Sequence, residues 1–357
     1  MKRIIIALIA TVVFVTSVSA QEVETRSLDE LYAAAIKEGG KLVIWSGGDK
    51  PGQRDQILNA FKKRFPKIDL QDHMDLSKYH DARFDLAVAK GGFVPDLLEL
   101  QTLHDFDYWK EKELLIRYRP LDWDKVYPDY KDPDGFWTGL YGVSFSNIVN
   151  ISMIPESEAP RDALDYLNPA LKGKIILTYP HDDDAVLYQF WHLQKKYGWE
   201  YIEKLIANEP LWLRGTAMPY VAVDKGWYPV SFTTSWGFVP YPNSDTRFLL
   251  PKNDFFLTWI QSAAIPKGAK HPTAAKLYLS FVLSKEFQSV WYQWPVRTDV
   301  PAPGGYKSIQ HHNTSPVDFH NFMRDRALVE RFKMQIEELI GPAKGINPMV
   351  MDYSKKP

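Results

Sequence analysis

The sequence predicts an α/β protein built as two lobes, and three observations carry that expectation. Strands alternate with helices of about a dozen residues through the first hundred positions. The same alternation starts again near residue 161. Two extended apolar stretches, near Tyr141–Asn147 and Gln261–Pro266, are placed to carry the chain across and back. Strand–helix–strand units imply a parallel sheet covered by helices on both faces, and its ligands sit outside the carboxyl ends of the strands. The second lobe then reads as an insertion in the first: 21–143 begin the first lobe, 144–262 form the second, and 263–357 return to the first and end in helices.

Residues 1–20 stand apart. Lys2 and Arg3 precede an apolar run from Ile4 to Val15, broken only by Thr11, and Val18-Ser19-Ala20 follows. That order is the pattern of a cleavable signal peptide. The run is also shorter than the ~20 residues a membrane-spanning helix needs. Across the chain 43 Lys and Arg face 44 Asp and Glu, and this near-balance argues against a nucleic-acid partner, which would call for a strong basic excess. The absence of cysteine excludes disulfides, thiolate catalysis and a lipid-anchored N-terminal cysteine. The expectation is a monomer, free in the periplasm or secreted.

Each element has its own signal. Ser27-Leu28-Asp29-Glu30 is a capping box; Leu28, Leu31, Tyr32, Ala35 and Ile36 then share a helical face, and Gly39-Gly40 ends it. Lys41–Ser46 reads as a buried strand, 47–52 as a loop, and Gln53–Phe65 as a helix with Ile57, Ala60, Phe61 and Phe65 inward, stopped by Pro66. Strand (Ile68–Met74), helix (Tyr79–Lys90) and strand (Asp96–Leu100) follow. In the second half, Arg161–Leu167 is helical and Gly173–Thr178 a strand ending at Tyr179-Pro180-His181-Asp182. Ala185–Tyr197, Trp199–Ala207 and Pro219–Lys225 are helices and Tyr228–Thr233 a strand. Phe255–Ile265 is strand-like, and Thr273–Leu283 and Arg324–Leu339 are amphipathic helices.

Common catalytic signatures are missing: there is no G-x-x-x-x-G-K-[ST], G-x-G-x-x-G or H-E-x-x-H, and Gly142-Val143-Ser144-Phe145-Ser146 lacks the second glycine of a nucleophile elbow. His181-Asp182-Asp183-Asp184 is the densest acidic cluster. It reads either as an acid/base or metal site of a secreted hydrolase, or as carboxylates capping a helix N-terminus. Ser46-Gly47-Gly48 lies between a strand and a helix, and two glycines there permit close approach of a ligand to backbone N–H groups, an arrangement suited to an anion.

The chain resembles the family 1 extracellular solute-binding proteins, the ferric-iron-type binding components of ABC importers. Leu31-Tyr32-Ala33-Ala34-Ala35-Ile36-Lys37-Glu38-Gly39, running into Ser46-Gly47-Gly48, is similar to their opening, and Pro95-Asp96-Leu97-Leu98 to their third strand. Leu167-Asn168-Pro169 with Leu171-Lys172-Gly173-Lys174-Ile175 resembles the start of their second lobe. Ala264-Ile265-Pro266-Lys267-Gly268-Ala269, then His271-Pro272 and Ala274-Ala275-Lys276, resembles their return segment. The resemblance implies the two-lobed type II periplasmic-binding-protein fold with the ligand in the cleft. It also implies capture of a solute for a membrane permease, with no catalytic residues. Iron-binding members use adjacent tyrosines where this chain reads Thr234-Ser235-Trp236, so the expected cargo is an oxyanion, such as an organic acid or phosphate ester, rather than ferric iron. The ligand-binding residues expected are Ser46, Gly47, Gly48, Gln101, Ser144, Tyr179, Thr234 and Ser235, with Arg297 as a charge partner. No metal site and no cofactor are expected.

Overall fold

The computed structural model describes residues 23–357, so the expected signal peptide lies outside the described residues. The chain opens with α1 (Leu28–Lys37), whose N-cap Ser27 accepts from Glu30 N–H while the Glu30 carboxylate accepts from Ser27 N–H, closing the capping box. Next come β1 (Lys41–Gly47), α2 (Asp55–Arg64), β2 (Asp69–Asp75), α3 (Ser77–Lys90), β3 (Leu97–Leu100), α4 (Leu103–Glu111) and β4 (Leu115–Ile116). β1 pairs in parallel with both β2 and β3, as expected of strands joined by crossover helices.

β5 (Thr138–Asn150) is long and buried throughout. The second lobe follows with β6 (Ile176–Thr178), α5 (Asp184–Tyr197), α6 (Trp199–Ala207), β7 (Leu211–Leu213), α7 (Ala217–Asp224), β8 (Val230–Thr234) and β9 (Thr246–Leu249). The chain returns on β10 (Leu257–Pro266) and ends with α8 (Pro272–Val282), α9 (Lys285–Gln288), α10 (Pro316–Arg324) and α11 (Arg326–Ile340). Arg161–Leu167, expected as an α-helix, holds a single 3-10 turn at Ala163–Leu167.

The sheet is mixed rather than purely parallel. Its path is β2-β1-β3-β10-β5-β8, with β4 added on β10 and β9 on β5. β10 runs antiparallel to β3, β4 and β5, and β5 runs antiparallel to β8 and β9. One antiparallel ribbon, β5 with β10, therefore carries both chain crossings. The expected boundary at 143/144 falls inside β5 and the one at 262/263 inside β10, next to a register shift between Gln261 and Ser262. Gly142 lets this ribbon sit tight: a Cβ there would lie 2.7 Å from Trp294 Cβ. The C-terminal helices span the halves. α10 packs on α4, β10 and α5, while α11 packs on α5 and the Pro180–Asp182 turn.

A buried charge cluster ties α2 to this frame. Arg54, at the N-cap of α2, forms a two-pronged pair with Glu99 of β3, with Nη2 2.9 Å from Oε2. The hydroxyls of Tyr278 (3.0 Å) and Tyr141 also donate to Glu99, and Asp72 accepts from Arg54 Nε at 3.3 Å. Glu99 is fully buried, so its charge is supported only because every oxygen is engaged.

Candidate ligand cleft

A cavity of about 240 Å³ lies between the lobes. The first lobe lines it with the loop after β1 (Gly47, Gly48, Asp49), the start of α2 (Gln53, Arg54), the start of α3 (Ser77, Lys78, Asp81) and Gln101-Thr102 after β3. The crossing ribbon adds Tyr141, Phe145, Trp259 and Gln261. The second lobe adds Asp182–Asp184, Thr216, Tyr220, Thr234 and Ser235, and α11 adds Arg326 and Lys333. Segments far apart in sequence thus meet outside the carboxyl ends of β1, β3 and β8.

Five of the expected ligand residues line this cavity: Gly47, Gly48, Gln101, Thr234 and Ser235. Four do not. Ser46 is fully buried on the other face of β1, as strand alternation requires. Ser144 is buried in β5, where its N–H donates to Gln293 Oε1 (2.6 Å) and its hydroxyl accepts from the Trp294 indole. Tyr179 stacks on Trp212, with ring centroids 6.1 Å apart. Arg297 is a buried staple whose guanidinium holds Asp299 and Asp122, each at 2.8 Å, and the Leu283 carbonyl. An arginine with those partners has no free charge for a ligand.

The anion loop expected at Ser46-Gly47-Gly48 has its donors spent. Gly48 N–H donates to the Asp75 carbonyl (3.0 Å), and the N–H groups of Asp49 and Lys50 both donate to Gln53 Oε1 (3.0 and 3.2 Å). The glycines serve close packing instead: a Cβ on Gly48 would lie 2.5 Å from Met74 Sδ, and one on Gly47 would fall on Ser77 Oγ. The free donors are across the cleft, at the start of α7, and the chain's own Asp49 occupies them. Its Oδ2 accepts from Thr216 N–H, from Thr216 Oγ1 (2.9 Å) and from Ala217 N–H (3.2 Å). Asp49 sits on the first lobe and α7 on the second, so this contact latches the cleft shut. A second latch runs from Lys78 Nζ on α3 to the carbonyl (2.7 Å) and carboxylate (2.9 Å) of Asp182. The C-terminal segment braces the first latch: the Tyr353 hydroxyl donates to the Asp49 carbonyl (2.8 Å), and Lys225 of the second lobe donates to the Tyr353 carbonyl (3.1 Å).

The acidic cluster behaves as helix-capping and ion-pairing carboxylates. Asp183 caps α5, accepting from Ala185 and Val186 N–H at 2.9 and 3.0 Å; burial pushes its carboxyl up to about 6. Burial would also raise Asp182 and Asp184, but Arg214 and Lys78 hold the first, and Lys333 and Arg326 the second, below the usual carboxylate range. The His181 ring meets Tyr179 edge-on and does not line the cavity. The His181–Asp184 cluster therefore does not assemble a hydrolytic His–Asp pair facing the cavity.

Several cleft residues are not among the expected ligand residues: Asp49, Arg54, Lys78, Asp81, Tyr220, Trp259, Trp291 and Tyr292. Asp49 alone had a local signal, since it follows the glycine pair in the loop after the first strand.

The profile of the bacterial extracellular solute-binding proteins matches residues 95–301, more than half of the chain. The chain belongs to this family. Solved structures give this solute-binding protein its fold relatives. Iron-bound HitA from Pseudomonas aeruginosa is 17% identical, with a TM-score of 0.64 over 85% of this chain and 99% of that one. AfuA from Actinobacillus pleuropneumoniae, with fructose-6-phosphate bound, is 18% identical, with a TM-score of 0.66 over 85% and 100%. The substrate-binding protein of an ABC transporter from Agrobacterium tumefaciens is 16% identical, with a TM-score of 0.67 over 84% and 94%. These relatives share the two-lobed type II periplasmic-binding-protein fold. Among the described residues of the solute-binding protein, no helix is long and apolar enough to cross a membrane.

Proposed function

We propose that this protein captures a small polar solute in the cleft between its lobes, in the periplasm, and hands it unchanged to the membrane permease of an ABC importer. The observation that carries the reading is the closed cavity: two lobes hung on one antiparallel ribbon meet through a few polar latches, Asp49 with Thr216 and Ala217, and Lys78 with Asp182. Such latches break and re-form at small cost, as a hinge that opens for entry and release demands. Relatives of the same fold hold iron in one case and fructose-6-phosphate in another, so fold alone does not choose the cargo. In this chain the end of β8 offers Thr234 and Ser235 to the cavity, and tyrosines for a ferric ion are absent from that position.

Uptake into vesicles carrying the cognate permease and ATPase tests the reading. Transport of a solute that also raises this protein's melting temperature should require the protein. A ligand at ~100 times its dissociation constant adds about 2.7 kcal/mol of stability. Uptake that proceeds equally well without the protein would refute the proposal.

A further inference from the structure

We propose that the solute this cleft takes is a small organic cation, an amine or quaternary ammonium, with its charge against the carboxylate of Asp49 and its body among the cleft aromatics. The inference rests on the capture reading above and gives that site its ligand class.

Charge pairing within the cavity decides the sign. Four cationic side chains line it, and each already has a carboxylate: Arg54 has Glu99 and Asp72, Lys78 has Asp182 at 2.9 Å, Arg326 has Asp184 at 3.2 Å, and Lys333 has Asp184 at 2.7 Å. His104, also in the lining, is held neutral by burial, which takes its imidazole down to about 4. Five carboxylates line the same cavity, and Asp49, Asp81 and Asp183 have no Lys or Arg within ion-pair distance among the described residues. The cavity therefore carries negative charge that the chain does not neutralise.

Asp49 shows where that charge meets the ligand space. The residue is only 5% exposed. Its Oδ2 takes all three donors from Thr216 and Ala217, while Oδ1 is buried with no hydrogen-bond partner in a residue that lines the cavity. A buried acceptor left without a donor is destabilising; an ammonium N–H would donate to it, and a quaternary ammonium would compensate its charge without a hydrogen bond. Burial pushes the carboxyls of Asp49, Asp81 and Asp183 upward, the response expected where a compensating cation is missing.

The walls fit the same class. Tyr141, Trp291 and Tyr292 all line the cavity and form a contiguous cluster of tilted rings, with successive centroids 4.1 and 4.3 Å apart. Phe145 and Trp259 add an edge-to-face pair at 4.9 Å. Aromatic faces attract cations, more so when desolvated. The cavity of about 240 Å³ has room for a compact amine.

Titration calorimetry of the purified protein tests the assignment, with putrescine, spermidine, agmatine and choline in one panel and inorganic phosphate, fructose 6-phosphate, citrate and glucose in the other. At least one amine is expected to bind, more weakly at high salt. Asp49→Asn should weaken it roughly tenfold to hundredfold, the range for loss of a charged hydrogen bond. An amide oxygen still serves Thr216 and Ala217, but the Oδ1 position becomes an N–H donor that faces the cation. Asp81→Asn, which leaves the latch untouched, should weaken it by a smaller factor and guards against a misfolded first variant. Tight binding of an anion or sugar with no amine binding would overturn the cation and leave solute capture standing. Silence across both panels would overturn both readings.

Discussion

Asp49→Ala isolates the latch between the lobes. The substitution removes one carboxylate oxygen from three donors: Thr216 N–H, the Thr216 hydroxyl at 2.9 Å and Ala217 N–H at 3.2 Å. In an open protein both sides of this contact are hydrated, so the loss falls on the closed state alone. Removing a side-chain acceptor from a helix N-terminus costs ~0.5–2 kcal/mol. Burial of the carboxylate, which pushes its pKa upward, offsets part of the benefit. A net loss of about 1 kcal/mol is expected, a roughly fivefold fall in the closed-to-open ratio. The chain has no cysteine, so Lys90→Cys and Lys172→Cys supply two clean labelling sites, both exposed and one on each lobe. Single-molecule energy transfer between them should show Asp49→Ala shifted toward the wider separation. Asp49→Asn should stay close to wild type, because its amide oxygen still accepts. Identical distributions for wild type and Asp49→Ala would refute the latch. An Asp49→Asn variant as open as Asp49→Ala would show that charge, rather than the acceptor, holds the lobes.

Three further outcomes follow from other parts of the molecule. Glu99→Gln leaves Arg54 buried with only Asp72, at 3.3 Å, as a charged partner. Breaking such a pair costs about 3–5 kcal/mol, read as a lower guanidinium midpoint, and a loss under about 1 kcal/mol would contradict the assignment. Burial and the neighbouring Asp81 raise the Asp105 carboxyl. A carboxyl raised above its unfolded value favours the folded state while protonated, so its contribution is lost as pH rises through the folded value. Asp105→Asn should therefore lose less stability than wild type as pH rises from about 4 to about 8, and equal slopes in thermal melts would exclude this. Tyr353→Phe deletes the one hydroxyl hydrogen shared between the Asp49 and Pro348 carbonyls (2.8 and 3.1 Å). At ~0.5–1.5 kcal/mol for a hydrogen bond, the same two-label reporter should move part of the way toward Asp49→Ala.

Local signals placed most of the fold. The Ser27 capping box, the Gly39-Gly40 stop and the helix Trp199–Ala207 all stand where their residues put them. Elements that depend on distant partners were harder to see. β9 (Thr246–Leu249) and β7 (Leu211–Leu213) are three or four residues long and exist only because β5 and β6 lie beside them. α4 follows Thr102, an N-cap residue whose side chain makes no cap bond although Asp105 stands three residues on. α10 is absent from the expectations although its signals are local: Ser315 caps it, Pro316 opens it, and Phe319, Phe322 and Met323 share a face. The antiparallel return of β10 turned an expected parallel sheet into a mixed one, and no local pattern reports strand direction.

The site was legible by address and not by chemistry. The rule that ligands sit past the carboxyl ends of strands led to Gly47, Gly48, Gln101, Thr234 and Ser235, and all five line the cavity. Residue type then misled, because a donor or a charge counts for a ligand only after the chain's own bonds are subtracted. Arg297 is a strong cation in the sequence and carries none to the cleft, since Asp122, Asp299 and the Leu283 carbonyl absorb it. The glycine loop has backbone N–H groups, but Gln53 and Asp75 take those of Gly48, Asp49 and Lys50. Asp49 runs the other way: its place in the loop after β1 is legible, but only folding leaves its Oδ1 without a partner in a residue that lines the cavity. Partners more than a hundred positions apart, such as Asp49 with Thr216, set that remainder. The preference of the cleft for an anion or a cation is therefore a property of the assembled ion pairs, and counting Lys, Arg, Asp and Glu along the chain does not reveal it.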